Sequence, residues 1–186
     1  MTIIRLRESD LDTTKNIRVS IDRVQARLPE RPVVLASAMG NSERKLLDAA
    51  RKAAAQDIVL SSTIAEGLRT FYIQIAQQLI SGDSWTRTRS TLSNLFEELS
   101  TLLQGFYLSG ELTPRGERVT KSYGERASAV ILARLLEQEN VPVAEVAERI
   151  LPGDPSEMRR RLQDSLNNWK KDYRVLVLPG YLEPAL

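Results

Sequence analysis

Two short apolar runs, far apart in the chain, constrain the fold more than any other feature of the sequence. One is 33-VVLASA-38, which follows a proline, and the other is 173-YRVLVLPG-180, which ends in proline and glycine. Apolar runs of this length are typical of strands that are buried on both faces of a parallel sheet. The runs 2-TIIRL-6 and 141-VPVAEV-146 are weaker candidates for further strands.

Helical patterns lie between the predicted strands. Apolar residues spaced three or four apart form two faces, which are Ile17, Ile21, Val24 and Leu28, then Leu46, Leu47, Ala50 and Ala54. An alternation of strands and amphipathic helices favours helices packed on the faces of a sheet. The sequence therefore predicts an α/β fold, a three-layer sandwich with a mostly parallel sheet.

A long helical arm, about residues 59–111, interrupts this alternation. Its apolar residues recur at helical spacing in two blocks, which are Ile64, Leu68, Phe71, Tyr72, Ile75 and Leu79, then Leu92, Leu95, Phe96, Leu99, Leu102, Leu103 and Phe106. In the turn 81-SGDS-84, Asp83 or Ser84 is expected to cap the second helix. The pair could form a coiled-coil surface for a partner, but the short seam favours a hairpin packed on its own domain.

A further helix is predicted over residues 155–171, after the loop Pro152-Gly153-Asp154-Pro155. Its periodicity indicates that one face is buried and that a basic triplet is exposed as a solvated surface. The expected buried residues are Met158, Leu162, Leu166 and Trp169, and the triplet is Arg159, Arg160 and Arg161.

The composition excludes several kinds of active site. The 186 residues contain no cysteine and no histidine, which excludes thiol nucleophiles, imidazole bases, Ser-His triads and the usual zinc sites. The net charge is only +2, and basic residues are interspersed with acidic ones, so no nucleic-acid partner is expected. There is no signal-peptide core and no apolar run of about 20 residues. We expect one cytoplasmic domain of 186 residues without a membrane partner.

Three segments together indicate a family. They are 33-VVLASAMGNSERKLLDAA-50, the pair 112-LTPR-115 and 122-SYGERASAVILARLL-136, and 175-VLVLPGYL-182. In order and spacing they resemble the N-terminal catalytic lobe of the aspartokinases, in the amino-acid kinase superfamily. The resemblance covers about residues 2–182, and its most specific part is Gly-Glu-Arg-x-Ser-Ala.

The resemblance implies a binding site for an amino-acid substrate. Glu125 would face the ammonium group of that substrate, with Ser37 and Ser42 as hydroxyl partners. Gly124 would let the backbone approach closely, and Arg126 is expected to anchor the loop. From the residues alone, Glu125 is more simply explained as a carboxylate in the first turn of a helix, where the helix dipole favours it.

Two departures from the family pattern concern catalysis. Family members carry Lys-Phe-Gly-Gly-Thr-Ser after the first strand, where this chain has Arg5-Leu6-Arg7-Glu8-Ser9-Asp10. Side chains replace both glycines of the phosphate cradle, and Glu8 and Asp10 would repel phosphate. Family members also continue past the Pro-Gly strand into a Gly-Arg-Gly-Gly-Ser-Asp loop, a nucleotide-binding lobe and regulatory domains. We therefore expect a truncated, degenerate lobe with no catalytic residue, metal or cofactor, where ATP and magnesium would act only if a partner chain supplied the second lobe.

Three functions remain open at this point. The first is an aspartokinase-like protein, catalytically incomplete, that binds a small aspartate-like amino acid or a partner chain. The second is the substrate-binding subunit of a split aspartate kinase whose nucleotide lobe is another polypeptide. The third is a non-enzymatic scaffold that uses the long helices.

The truncation also predicts assembly. If the sheet ends near the strand Val175 to Leu178, at least one strand edge and an apolar border lack their usual cover. We expect a homodimer, or a stable complex with another chain, formed through the C-terminal strand region or through the long helices of residues 64–80 and 84–108.

Overall fold

The centre of the fold is a parallel sheet of four strands. The structure is a computed structural model that describes residues 2–145, 152–167 and 173–185. The strands are β1 Ile3–Leu6, β2 Val33–Ala36, β3 Val143–Glu145 and β4 Val175–Pro179, and their order in the sheet is β1-β2-β4-β3. All three pairings are parallel. All four predicted strands are therefore confirmed, although Val146 lies outside the described residues.

Six helices connect and cover these strands within the described part of the chain. They are α1 Thr14–Gln25, α2 Ser42–Ala54, α3 Ile58–Leu79, α4 Gly82–Ser109, α5 Pro114–Gln138 and α6 Pro155–Asn167. Short 3-10 turns follow β1 at Glu8–Asp10 and β4 at Gly180–Ala185. A third such turn, Leu28–Glu30, contains Leu28, which the sequence pattern placed on the face of α1.

The sheet separates two hydrophobic cores, so the predicted three-layer sandwich is confirmed. Val34 of β2 and Val177 of β4 face the larger core, which includes apolar residues from α1 to α5. Leu35 and Leu178, one position further along each strand, face the smaller core with Met158 of α6. This alternation follows from the two-residue period of a strand, and it explains why both strands are apolar throughout.

The helices α3 and α4 form the predicted hairpin, and the hairpin packs on its own domain. Their buried residues belong to the same core as the sheet, which disfavours a separate coiled-coil surface. The predicted cap of α4 is wrong, because α4 begins at Gly82 with Ser81 as its N-cap and Asp83 already inside the first turn. The Ser81 N–H instead donates to the Gln138 side chain of α5 over 2.9 Å.

The start of α5 also differs from the sequence-based expectation. The helix begins at Pro114, after the N-cap Thr113, whose hydroxyl accepts the Gly116 N–H at 3.0 Å. A threonine N-cap followed by proline is a strong helix start. Glu125 therefore lies about three turns inside α5, and its expected place in a first helical turn is wrong. The helix dipole does not account for this carboxylate, because the dipole acts within the first and last turns.

Gly124 brings α5 close to the loop after β2. A Cβ atom at this position would lie 2.8 Å from the Ala38 Cβ and 3.1 Å from a Leu46 methyl group. Tyr72 of α3 completes the junction, since its hydroxyl accepts the Met39 N–H and donates to the Gly124 carbonyl, both at 3.1 Å. Close packing therefore requires glycine at this position. The backbone conformation does not, because residue 124 is helical.

The expectation that the C-terminal strand lies at an open edge of the sheet is wrong. β4 lies inside the sheet, paired with β2 on one side and β3 on the other, so the edges of the described sheet are β1 and β3. The strand β3, which follows α5 in the chain, pairs in parallel with the side of β4 that was expected to be open. Assembly through an open edge of β4 is therefore no longer expected.

The face of α6 follows the prediction where it is described. Met158 and Leu162 are buried, whereas Arg159, Arg160 and Arg161 are exposed. Trp169 and the side chain of Leu166 lie outside the described residues. Among the described helices, none combines the length and apolarity that a membrane crossing needs.

Replacing Tyr72 by phenylalanine should destabilise the fold. Without the hydroxyl, the buried Met39 N–H loses its acceptor, and an unsatisfied buried donor costs about 1–3 kcal/mol. Urea unfolding followed by circular dichroism measures this loss. Tyr107→Phe is the matched control, because Tyr107 packs against the same core and its hydroxyl makes no hydrogen bond to the described residues. Equal stability of both variants would show that the Tyr72 hydroxyl does not hold the junction.

Candidate functional site

A cavity of about 240 Å³ opens beside the end of β4. One wall is a single face of α5, formed by Arg118, Lys121, Ser122 and Glu125. The opposite wall comes from the loop before α6, from α6 itself and from the turn after β4, and it consists of Pro152, Gly153, Pro155, Met158, Tyr181 and Pro184. Open parallel sheets bind ligands at the carboxyl ends of their strands, which makes this cavity the candidate site.

The Glu125 carboxylate lines this cavity and is largely withdrawn from water. The Tyr181 N–H donates to its Oε2 atom at 2.5 Å. Burial raises the pKa of Glu125 to about 7, although the Tyr181 hydrogen bond favours the ionised form. A Cβ atom at Gly180 would lie 3.3 Å from the Ala36 carbonyl oxygen and 3.4 Å from the Glu125 Oε2 atom, so the turn after β4 packs closely on β2 at this point.

A second cavity, of about 310 Å³, adjoins the first. Its lining residues are Glu8, Asn41, Glu43, Arg44, Leu47 and Lys121. Lys121 lines both cavities, and its ammonium group lies 2.7 Å from the Glu43 carboxylate. Lys121 therefore already has a carboxylate partner within this chain.

The four residues proposed from the sequence occupy different surroundings. Glu125 lines the cavity, whereas Gly124 faces the core beside Tyr72. Ser42 is buried, and its hydroxyl donates to the Met39 carbonyl at 2.5 Å. Ser37 is half-buried just after β2, where its N–H donates to the Leu6 carbonyl at 3.0 Å. Neither serine is among the residues that line the two cavities, and their role as substrate partners stays a prediction.

Sequence reasoning missed Arg118, Lys121 and Tyr181. The signal for the first two was present, since residues 118, 121, 122 and 125 share one face of a helix at spacings of three and four. That signal was hidden because the helix was expected to open near Gly124. No pattern in the sequence pointed to the opposite wall, because its residues come from two distant segments.

Arg126 has a different role from the one expected. It lies within α5 and is only 5% exposed. Its contacts therefore hold a helix in place, whereas a loop was expected here. Its guanidinium lies 3.1 Å from the Glu98 carboxylate of α4 and 4.9 Å from the centre of the Tyr123 ring. The ion pair fastens α4 of the hairpin to α5, whereas the cation–π contact lies within α5.

Comparison with known proteins identifies the fold. No protein-family model and no curated protein matches the sequence. The structure is similar to E. coli aspartokinase III in complex with lysine and aspartate, with a TM-score of 0.75 and 15% identity over 96% of this chain. The chain has an aspartokinase-like fold. The aspartate and ADP complex of the same enzyme gives a TM-score of 0.74 at 16% identity, and this chain spans 40% of the length of each enzyme chain.

One of the similar aspartokinase III structures contains ADP, but the turn after β1 in this chain does not fit a phosphate. The 3-10 turn Glu8–Asp10 places two acidic residues there, and the Arg7 N–H donates to the Asp10 carboxylate at 2.8 Å. Arg5 is paired with Glu183. A phosphate cradle needs free backbone N–H groups and positive charge, whereas the Arg7 N–H and the Arg5 guanidinium are both engaged by carboxylates of this chain. Within the described ranges, no three acidic residues are grouped so that they could hold a metal ion.

The raised pKa of Glu125 should make stability depend on pH. Its folded pKa of about 7 exceeds the ordinary 4.5, so the folded state binds the extra proton between these values. The contribution of this group to the free energy of unfolding therefore has its full value below pH 4.5, and it is lost as the pH rises to 7. Between pH 4.5 and 7.5, the free energy of unfolding of the wild type should fall by about 2–3 kcal/mol more than that of Glu125→Gln.

Urea unfolding at the two pH values measures this difference. Glu117→Gln, a variant of another glutamate on α5, should keep the wild-type dependence. If the wild type and Glu125→Gln change in parallel, Glu125 is not the titrating group.

Proposed function

We propose that this chain binds a small amino acid whose ammonium group pairs with the Glu125 carboxylate. The observation that carries the proposal is a withdrawn carboxylate in a small cavity, next to cationic side chains on the same helix face. An amino acid presents one positive and one negative group, and this helix face carries side chains of both charges. The similar aspartokinase III structures contain aspartate, which supports the ligand class.

Arg118 is the proposed partner of the ligand carboxylate. It is exposed at the cavity, and the described residues give it no ion-pair partner, whereas Lys121 is paired with Glu43. The cavity volume of about 240 Å³ lies below the roughly 300–1,000 Å³ of sites for drug-sized molecules. A single amino acid is therefore a better match than a nucleotide.

Isothermal titration calorimetry with a panel of amino acids tests the proposal. Glu125→Gln should weaken binding about tenfold or more, because a charge-assisted hydrogen bond is lost. Wild-type affinity should also fall as the pH drops below 7, since protonated Glu125 cannot pair with an ammonium group. Glu117→Gln serves as the control variant with unchanged affinity. Absence of binding by every amino acid at pH 8 would refute the proposal.

We also propose that the chain does not transfer phosphate. Glu8 and Asp10 after β1, together with the engaged Arg5, support this part of the proposal, because phosphoryl transfer depends on positioning and charge stabilisation. Purified chain with ATP, magnesium and aspartate should release no ADP above background. Sustained release that Glu125→Gln abolishes would contradict it. Release only after cell extract is added would favour the substrate-binding subunit of a split kinase.

Association with a second copy or another chain stays a proposal, now limited to the helical hairpin. Val59 of α3 and Leu108 of α4 are each 75% exposed. They lie toward the same end of the hairpin, where the Gln56 side chain donates to the Tyr107 carbonyl at 2.7 Å. These two side chains are the proposed contact points for another chain.

A further inference from the structure

The two walls of the 240 Å³ cavity differ in chemistry. The wall on α5 carries Arg118, Lys121, Ser122 and Glu125, so charged and hydroxyl groups lie on one side. The opposite wall, within the described lining, is mainly apolar, with three prolines, one glycine, one methionine and one tyrosine. A ligand in this cavity therefore meets polar groups on one flank and hydrocarbon on the other.

The apolar wall is a built part of the fold. Met158 is 5% exposed and belongs to the smaller core with Leu178 and Leu182. The Gly153 N–H donates to the Met158 sulfur at 3.3 Å, which holds the loop against this side chain. Arg159 of α6 donates to the Pro184 carbonyl at 3.4 Å. The loop, α6 and the turn after β4 are thus held together as one surface.

This wall offers few hydrogen-bond donors to a ligand. Pro152, Pro155 and Pro184 have no backbone N–H. The N–H of Gly153 is directed to Met158, and the N–H of Tyr181 is directed to Glu125. A carboxylate pressed against this wall would lose water and gain no partner beyond the Tyr181 hydroxyl within the described lining, and a poorly paired buried charge is costly.

The charges of the polar wall suffice for one carboxylate. Lys121 is already paired with Glu43 at 2.7 Å, and Glu125 serves the ammonium group in the proposed function. Arg118 then remains as the single cation of the described cavity lining without an ion pair. The second carboxylate of aspartate would be left on the apolar side.

From this asymmetry we infer that the site selects a free α-amino acid with an apolar side chain, of about leucine or methionine size, over aspartate. The inference rests on the proposed function and adds the ligand's side-chain class to it. The ammonium and carboxylate groups lie on the α5 wall, with the side chain against Met158 and the prolines. Each buried methylene strengthens binding about fourfold, so leucine should bind about tenfold or more tightly than alanine.

Calorimetry at pH 8 with leucine, methionine, alanine, aspartate and leucinamide tests the inference. Leucine or methionine should bind about tenfold more tightly than aspartate, and leucinamide should bind more weakly than leucine because it lacks the carboxylate for Arg118. Aspartate binding as tight as that of leucine would overturn the inference and leave the proposed function intact. Binding of no amino acid would overturn both.

A charge added to the apolar wall gives a second test that a folding defect cannot mimic. Pro184→Lys places an ammonium group on that wall, so aspartate affinity should rise about tenfold while leucine affinity falls. Pro29→Lys is the matched control, because Pro29 is also exposed in a 3-10 turn but does not line the cavity. An unchanged ratio of aspartate to leucine affinity in Pro184→Lys would overturn the inference.

Discussion

The hydrogen bonds of the Tyr72 hydroxyl hold together the elements on which the site depends. Through the Met39 N–H and the Gly124 carbonyl, this group joins the loop after β2, the hairpin and α5. Gly124 allows the contact, because any larger residue would collide with Ala38. With α5 fixed in this way, the next residue, Glu125, lies against the turn after β4, and its surroundings follow from that placement.

Much of the fold could be predicted from local patterns. The strands β2 and β4 are apolar throughout because both of their faces are covered, and the hairpin follows from two long helical repeats. These are signals that a single segment carries by itself. The resemblance to the aspartokinases also led to the correct fold and to Glu125, the one predicted residue that lines the cavity.

Other features could not be predicted, for identifiable physical reasons. The order of strands depends on pairings between distant segments, so the position of β4 inside the sheet had no local signal. The start of α5 did have a local signal, since Thr113 and Pro114 are a typical N-cap and first helical residue. The Gly-Glu-Arg triplet at residue 124 was instead interpreted as the helix start. The apolar wall of the cavity combines the turn after β4 with residues 152–158, and only the tertiary structure shows that they meet.

The pairing of β2 with β4 also has a consequence for how the chain is assembled during synthesis. The two strands are about 140 residues apart in sequence, whereas α3 and α4 are neighbours joined at residues 80–81. Local contacts form faster than distant ones, so the hairpin can fold while β4 is still missing. During that interval β2 has a partner on one side only, and its apolar edge is open to premature pairing with other chains.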